Sequence, residues 1–113
     1  MSSVVTVADQ DHIRTITVNR PDKLNALNRE TLEALDAAFV QAAATADVRV
    51  VVLTGAGPKA FVAGADIAQM RGLTPVQGRD FGQLGQRLMR RIETLPKPAI
   101  AMVNGFALGG GLE

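Results

Sequence analysis

Apolar residues recur in this chain at two spacings, and the change from one to the other sets out its elements. Val4, Val5 and Val7 lead through the polar segment Asp9-Gln10-Asp11-His12 into Ile13, Ile16 and Val18, which predicts two short strands joined as a hairpin. Asn19-Arg20-Pro21-Asp22-Lys23 ends the hairpin as a loop. Beyond Asn28, a good N-cap residue, Leu32, Leu35, Phe39, Ala42 and Ala46 recur at steps of three and four, so an amphipathic helix is expected over 29–46. Val50-Val51-Val52-Leu53 is then a continuous apolar run closed by Gly55-Ala56-Gly57-Pro58, the pattern of a strand buried on both faces in a covered, parallel sheet.

A second helix follows from Phe81, Leu84, Leu88, Ile92 and Leu95, with Pro75 suited to its first turn and Pro96 to its end. Gly78, Gly82 and Gly85 each cost a helix about 1 kcal/mol relative to alanine, so its first half is expected to be weak and 72–85 mobile. Ala99-Ile100-Ala101-Met102-Val103 reads as another buried strand, running into Asn104-Gly105-Phe106-Ala107-Leu108-Gly109-Gly110-Gly111-Leu112-Glu113. Strand, helix, strand, helix, strand is an α/β order, with no repeat or linker to divide it.

Composition narrows the function classes. A chain of 113 residues is at most one domain. A formal charge of +1, spread along the chain, points to no nucleic acid or anionic membrane. The absence of cysteine excludes disulfides and thiolate metal sites and fits a cytoplasmic protein. Met1 to Thr6 lacks the basic flank and apolar core of a secretory signal. Pro98 to Leu112, the least polar stretch, is too short to cross a bilayer and reads as buried protein.

The candidate chemistry lies at the glycines. Small residues after a buried strand let a backbone N–H approach a ligand closely, and a helix start there adds unpaired donors, a combination suited to negative charge. A second donor is offered by Ala63-Gly64-Ala65-Asp66, where Asp66 would cap a helix. Close packing of elements explains both segments equally well from spacing alone. Gly55-Ala56-Gly57-Pro58-Lys59-Ala60 formally satisfies the dinucleotide fingerprint, but Pro58 and the apolar Phe61-Val62 do not open the helix it requires. His12 reads as a solvated turn residue rather than a base. Arg87, Arg90 and Arg91 read as an exposed basic face rather than a phosphate site, and Glu30, Glu33 and Glu93 as solvated helix positions.

Taken together, Asn19-Arg20-Pro21, Leu24-Asn25-Ala26-Leu27, Ala63-Gly64-Ala65-Asp66-Ile67, Lys97-Pro98 and the closing decapeptide resemble the enoyl-CoA hydratase/isomerase (crotonase) family in order and spacing, over nearly the whole chain. The resemblance implies a spiral of ββα units, assembled as homotrimers or hexamers, that acts on acyl-CoA thioesters without metal or any cofactor beyond the CoA of the substrate. It implies that the N–H groups of Ala65 and Gly110 form an oxyanion hole and that Glu113 is the first of two catalytic glutamates. It also implies that Lys23, Leu24 and Ala26, with Ala63, Ala65, Asp66, Ile67 and Ala68, line the CoA site together with Gly110. A hydratase is preferred, with an enoyl-CoA isomerase or a non-catalytic binding member of the fold as alternatives. Family domains run to more than twice this length, so the resemblance makes residues 1–113 the N-terminal portion of a single domain. The second glutamate is then expected beyond Glu113, with the remaining half disordered, omitted or held as another chain, and the fragment is not expected to fold alone.

Overall fold

The computed structural model describes residues 3–113, and its elements come in ββα turns. Strands β1 (Val5–Gln10) and β2 (Ile13–Val18) precede helix α1 (Arg29–Ala44). Strands β3 (Val50–Gly55) and β4 (Ala60–Val62) precede a short helix α2 (Ile67–Met70) and the long α3 (Pro75–Glu93). Strands β5 (Ala99–Ala101) and β6 (Phe106–Ala107) begin a third turn, which closes in a 3-10 turn at Gly109–Gly111. The main sheet has the order β1-β2-β3-β5, antiparallel at the hairpin and parallel elsewhere, while β4 and β6 form a second, parallel pair. The first turn gives both its strands to the main sheet, each later turn gives one strand to each sheet, and the chain advances by stacking.

The hairpin turn is tighter than the polar segment suggests. Asp9 and Gln10 belong to β1, and only Asp11 and His12 turn, both with positive φ (52° and 68°). A two-residue turn of that kind matches the twist of its strands, and short polar residues tolerate the left-handed region. Asp9 then stands opposite Arg14 and accepts two hydrogen bonds from it at 2.8 Å. His12 is exposed, with Nδ1 2.9 Å from the Asp47 carbonyl oxygen, in keeping with a surface residue.

Helix α1 begins as its sequence predicts, because Asn28 Oδ1 accepts from the Thr31 N–H at 2.9 Å. It stops at Ala44 rather than at 46, and Ala46 is exposed. Its end is capped from a distance: Lys97 Nζ donates to the carbonyls of Ala42 and Thr45, both at 2.7 Å, placing a cation where the helix leaves its acceptors unpaired. Leu32, Leu35, Phe39 and Ala42 face the core with Ile16, Val18, Val51 and Leu88. Arg91 donates to Asp36 at 2.6 Å and Arg87 lies 4.0 Å from the same carboxylate, so two of the three arginines tie α3 to α1.

Helix α3 runs unbroken from Pro75. Thr74 forms a capping box with Gln77, which pairs two of the amides a helix start leaves free and offsets the glycines behind it. A Cβ at Gly78 would meet nothing within 4 Å, so Gly78→Ala in the full-length protein is expected to add about 0.5–1 kcal/mol. A thermal scan checks this; a melting temperature equal to or below wild type contradicts it.

Two expectations of burial are corrected. Val51 is fully buried, but Val50, Val52 and Leu53 are only half-buried. Strand β5 is short and exposed, with Ile100 at 53% and Met102 and Val103 just beyond it at 52% and 56%. The reason is positional: β5 is the edge of the main sheet, and the described residues place no helix over it. Strands β4 and β6, too short to show a period, have no counterpart in the sequence reading.

Candidate active site

The parallel pairing of β4 with β6 decides where the glycines go. Ala60 stands beside Phe106 and Val62 beside Ala107, so the segments after both strands, 63–66 and 108–111, emerge side by side. Leu108 N–H donates to the Val62 carbonyl at 3.1 Å. Gly64 and Gly109 adopt positive φ (110° and 52°), and a Cβ on Gly109 would lie 3.7 Å from the Gly64 Cα. Two bends distant in sequence therefore pack back to back.

Two asparagines hold the strands in this register. Asn104 Nδ2 donates to the carbonyls of Gly55 at 2.9 Å and Ala60 at 3.1 Å, and its Oδ1 accepts from the Gly55 N–H at 3.1 Å. Asn25 is wholly buried, accepts from the Arg20 N–H at 2.9 Å, and donates to the carbonyls of Ala56 at 3.0 Å and Ala60 at 2.9 Å. Asn25 and Leu24 take left-handed backbone conformations after a 3-10 turn at Pro21–Lys23. A buried amide with all its partners supplied specifies a loop geometry that hydrophobic packing alone does not.

The loop after that turn joins the bend at Ala65. Ala63 N–H donates to Leu24 at 3.1 Å, Leu27 N–H to Gly64 at 2.8 Å, and Asp66 N–H to Leu27 at 2.9 Å, leaving Leu27 and Ala65 as a parallel bridge. Arg20 clamps both loops: one guanidinium nitrogen donates to the Ala26 carbonyl at 2.6 Å and another to Asp66 Oδ2 at 3.1 Å, with both side chains only about 15% exposed. Asp66 meanwhile caps α2, its Oδ1 accepting from the Gln69 N–H at 3.3 Å. Burial pushes the Asp66 carboxyl upward, but the bonds from Gln69 and Arg20 and the arginine charge outweigh it and hold it below the ordinary 3.8.

A folded-state value below the ordinary one means that this pair stabilises the protein above that value and ceases to as the carboxylate protonates. Arg20→Met is therefore expected to cost about 2 kcal/mol near neutral pH. The difference from wild type should shrink on acidification below about pH 4. Denaturant melts of full-length protein across that range check the sign; a difference that grows with acid contradicts it.

Within this frame, Ala65, Gly110 and Glu113 border one cavity of about 150 Å³, with Leu27, Leu32 and Phe81 among its apolar walls. Among the described residues no backbone carbonyl accepts the Ala65 N–H, and Gly110 is the second residue of its 3-10 turn, whose first internal bond runs from the Gly111 N–H to the Leu108 carbonyl. Glu113 is exposed and closes the same rim. The other candidates for the CoA site lie outside this cavity, on the adjoining loops and the start of α2. Lys23, Leu24, Ile67 and Ala68 are exposed there, and Ala26, Ala63 and Asp66 are half-buried. The Asp66 carboxylate is engaged within the protein.

The dinucleotide alternative fails on geometry. The segment after Gly55-Ala56-Gly57 enters strand β4 rather than a helix, so no helix N-terminus stands ready for a pyrophosphate. What sequence reasoning missed is the support: Arg20 carried no assigned role, because its partner Asp66 lies 46 positions further along the chain.

Comparison with known proteins agrees with this architecture. The profile of the Enoyl-CoA hydratase/isomerase family matches residues 8–113. The chain is 49% identical over 109 residues to a short-chain-enoyl-CoA hydratase of Clostridium acetobutylicum, covering 96% of this chain and 42% of that protein. It is 46% identical over 104 residues to a crotonyl-CoA hydratase of Syntrophomonas wolfei, covering 92% and 40%. The crystal structure of an enoyl-CoA hydratase from Bacillus anthracis superposes with a TM-score of 0.93 at 40% identity, over 96% of this chain and 43% of that one. The chain thus spans less than half the length of the relatives it matches. With its family blocks meeting in one fold and that fold shared with solved hydratases, the chain belongs to the enoyl-CoA hydratase/isomerase family and forms roughly the first half of the crotonase fold.

Proposed function

We propose that the protein containing this chain hydrates 2-enoyl-CoA thioesters, and that residues 1–113 supply its oxyanion hole and one of two acid/base groups. The observation that carries this reading is that Ala65, Gly110 and Glu113 border one cavity, with no backbone carbonyl accepting the Ala65 N–H among the described residues. An α,β-unsaturated thioester is a weak electrophile at C3 until its carbonyl is polarised. Two fixed N–H donors aimed at that oxygen stabilise the charge as it becomes enolate, each by about 3 kcal/mol in known oxyanion holes. A carboxylate takes a proton from water as the water oxygen bonds to C3, and a protonated carboxyl returns a proton to C2. Glu113 supplies one of these groups, and the other belongs to the part of the domain beyond it.

The segments Lys23 to Ala26 and Ala63 to Ala68 would carry the CoA portion, since the hydrogen bonds between them join the exposed surface at Leu24 to the residues on either side of Ala65. No cofactor beyond that CoA enters the scheme, and assembly into trimers or hexamers belongs to the same reading. Turnover of crotonyl-CoA by the full-length protein, followed by loss of the conjugated thioester absorbance, tests it. Absence of turnover together with absence of acyl-CoA binding rejects it, and migration of the double bond without addition of water identifies an isomerase.

A further inference from the structure

The backbone that leads to Ala65 forms one file of hydrogen bonds, and the file begins at a charge. Arg20 Nη1 donates to the Ala26 carbonyl at 2.6 Å. The N–H of the same peptide, that of Leu27, donates to the Gly64 carbonyl at 2.8 Å. The N–H of that second peptide belongs to Ala65, and no backbone carbonyl among the described residues accepts it. In a planar trans peptide the C=O and N–H point in opposite directions, so each bond in the file sets the direction of the next donor. The Ala65 N–H is therefore turned away from the Leu27 backbone and stands at the open end.

Arg20 is itself held in place. Its N–H donates to Asn25 Oδ1 at 2.9 Å and its carbonyl accepts from the Asn25 N–H at 2.9 Å, so the loop that carries Ala26 also pins the backbone of the arginine. Its side chain is 14% exposed, and Asp66 Oδ2 occupies the second guanidinium nitrogen at 3.1 Å. A guanidinium keeps its proton in a protein, so the charge at the head of the file is permanent. The Gly110 amide is backed differently: the carbonyl of its peptide, that of Gly109, accepts from the neutral amides of Leu112 at 3.0 Å and Glu113 at 3.3 Å. The two candidate donors thus differ in what stands behind them.

Resting on the hydratase reading, we propose that Arg20 is a positioning residue for hydration: through the Ala26–Leu27 and Gly64–Ala65 peptides it aims and polarises the Ala65 amide, making it the stronger of the two donors to the thioester oxygen. Hydrogen bonds in a file polarise one another, and a bond from a charged donor is about twice as strong as a neutral one. As negative charge collects on the thioester oxygen, the two peptides carry the influence of the arginine to it, and no proton leaves any of these groups. The carbonyl of the bound substrate has little of that charge before reaction, so the effect falls on kcat rather than on binding.

The test uses the full-length protein and two readouts. One is kcat and KM for crotonyl-CoA. The other is the infrared carbonyl stretch of bound butyryl-CoA labelled with ¹³C at the carbonyl, a thioester with no double bond to hydrate, whose stretch falls as its oxygen accepts stronger hydrogen bonds. Arg20→Met is expected to lower kcat by about tenfold, less than the roughly 10²–10³-fold of losing an oxyanion donor outright, with KM within about threefold of wild type. It is also expected to shrink the downshift of the bound carbonyl. Arg20→Gln, which keeps a donor without the charge, is expected to shrink it too and serves if the methionine variant does not fold. Asp66→Asn removes the ion pair but keeps a helix cap and the arginine charge on Ala26, and is expected to retain the wild-type downshift. A wild-type downshift in folded Arg20→Met or Arg20→Gln protein overturns the proposal. Equal losses in Arg20→Met and Asp66→Asn overturn it as well, because the pair then acts only by clamping its loops. Those results leave hydration itself standing, whereas a wild-type protein that neither hydrates crotonyl-CoA nor binds butyryl-CoA removes the hydratase reading and this role of Arg20 with it.

Discussion

Glu113→Gln in the full-length protein is expected to lower kcat for crotonyl-CoA hydration by about 10³-fold while acyl-CoA still binds. Glutamine keeps the size and the hydrogen-bonding reach of the side chain but can neither accept a proton from water nor hold one for C2. A factor of that size is about 4 kcal/mol of transition-state free energy, within what a positioned acid or base supplies. The amides of Ala65 and Gly110 are untouched by the change, so binding of a product or an inert thioester should remain within about threefold of wild type, since less than about 1 kcal/mol is at stake. The pair of measurements is what discriminates. If kcat stays within about tenfold of wild type, Glu113 is not an acid/base group, because such groups contribute at least 10²-fold or so. If binding collapses with kcat, its role is structural.

The second large effect is on folding. A Cβ on Gly111 would collide with the Val62 carbonyl carbon and oxygen and lie 2.9 Å from the Val62 Cβ. Val62 is buried in β4, and its carbonyl already accepts from Leu108, so the backbone can yield only by opening the β4–β6 pair. Gly111→Ala is therefore expected to destabilise the full-length protein by more than about 3 kcal/mol, or to abolish soluble expression. Gly110→Ala, one residue away, would place its Cβ 3.4 Å from the Leu27 Cδ1, a side-chain end that can shift, and is expected to cost less than about 1 kcal/mol. Urea melts of the two variants decide the matter. Equal losses would show that the glycine run serves flexibility in general rather than one backbone crossing.

That contrast shows why the glycine run could be recognised but not divided from its sequence. Gly109, Gly110 and Gly111 look alike as letters, and small residues at such a place serve an oxyanion site or close packing equally well. In the structure they separate: Gly109 turns the chain with positive φ against Gly64, Gly110 faces the cavity, and Gly111 crosses β4. Close packing holds for Gly111, while Gly110 borders the cavity to which the oxyanion reading applies.

Local features were legible where their cause is local. The cap at Asn28, the cap at Asp66, proline in the first turn of α3 and the amphipathic face of α1 each depend on residues within a few positions of one another. Burial of β5 was misjudged because an apolar run records what a strand is suited to touch, not whether anything covers it. The length of α1 was overestimated because periodicity continued past the point where Lys97, more than fifty positions away in sequence, closes the helix.

By itself, then, the sequence determined the α/β order, the caps, the family blocks and the identity of the candidate amides and carboxylate. Only the tertiary structure decided that these residues border one cavity, since the parallel pairing of β4 with β6 joins segments about forty-five residues apart and is too short to leave a period. It also decided which support they have: Arg20, Asn25 and Asn104 act through hydrogen bonds to distant backbone groups, and no spacing along a chain encodes a partner that folding alone brings near.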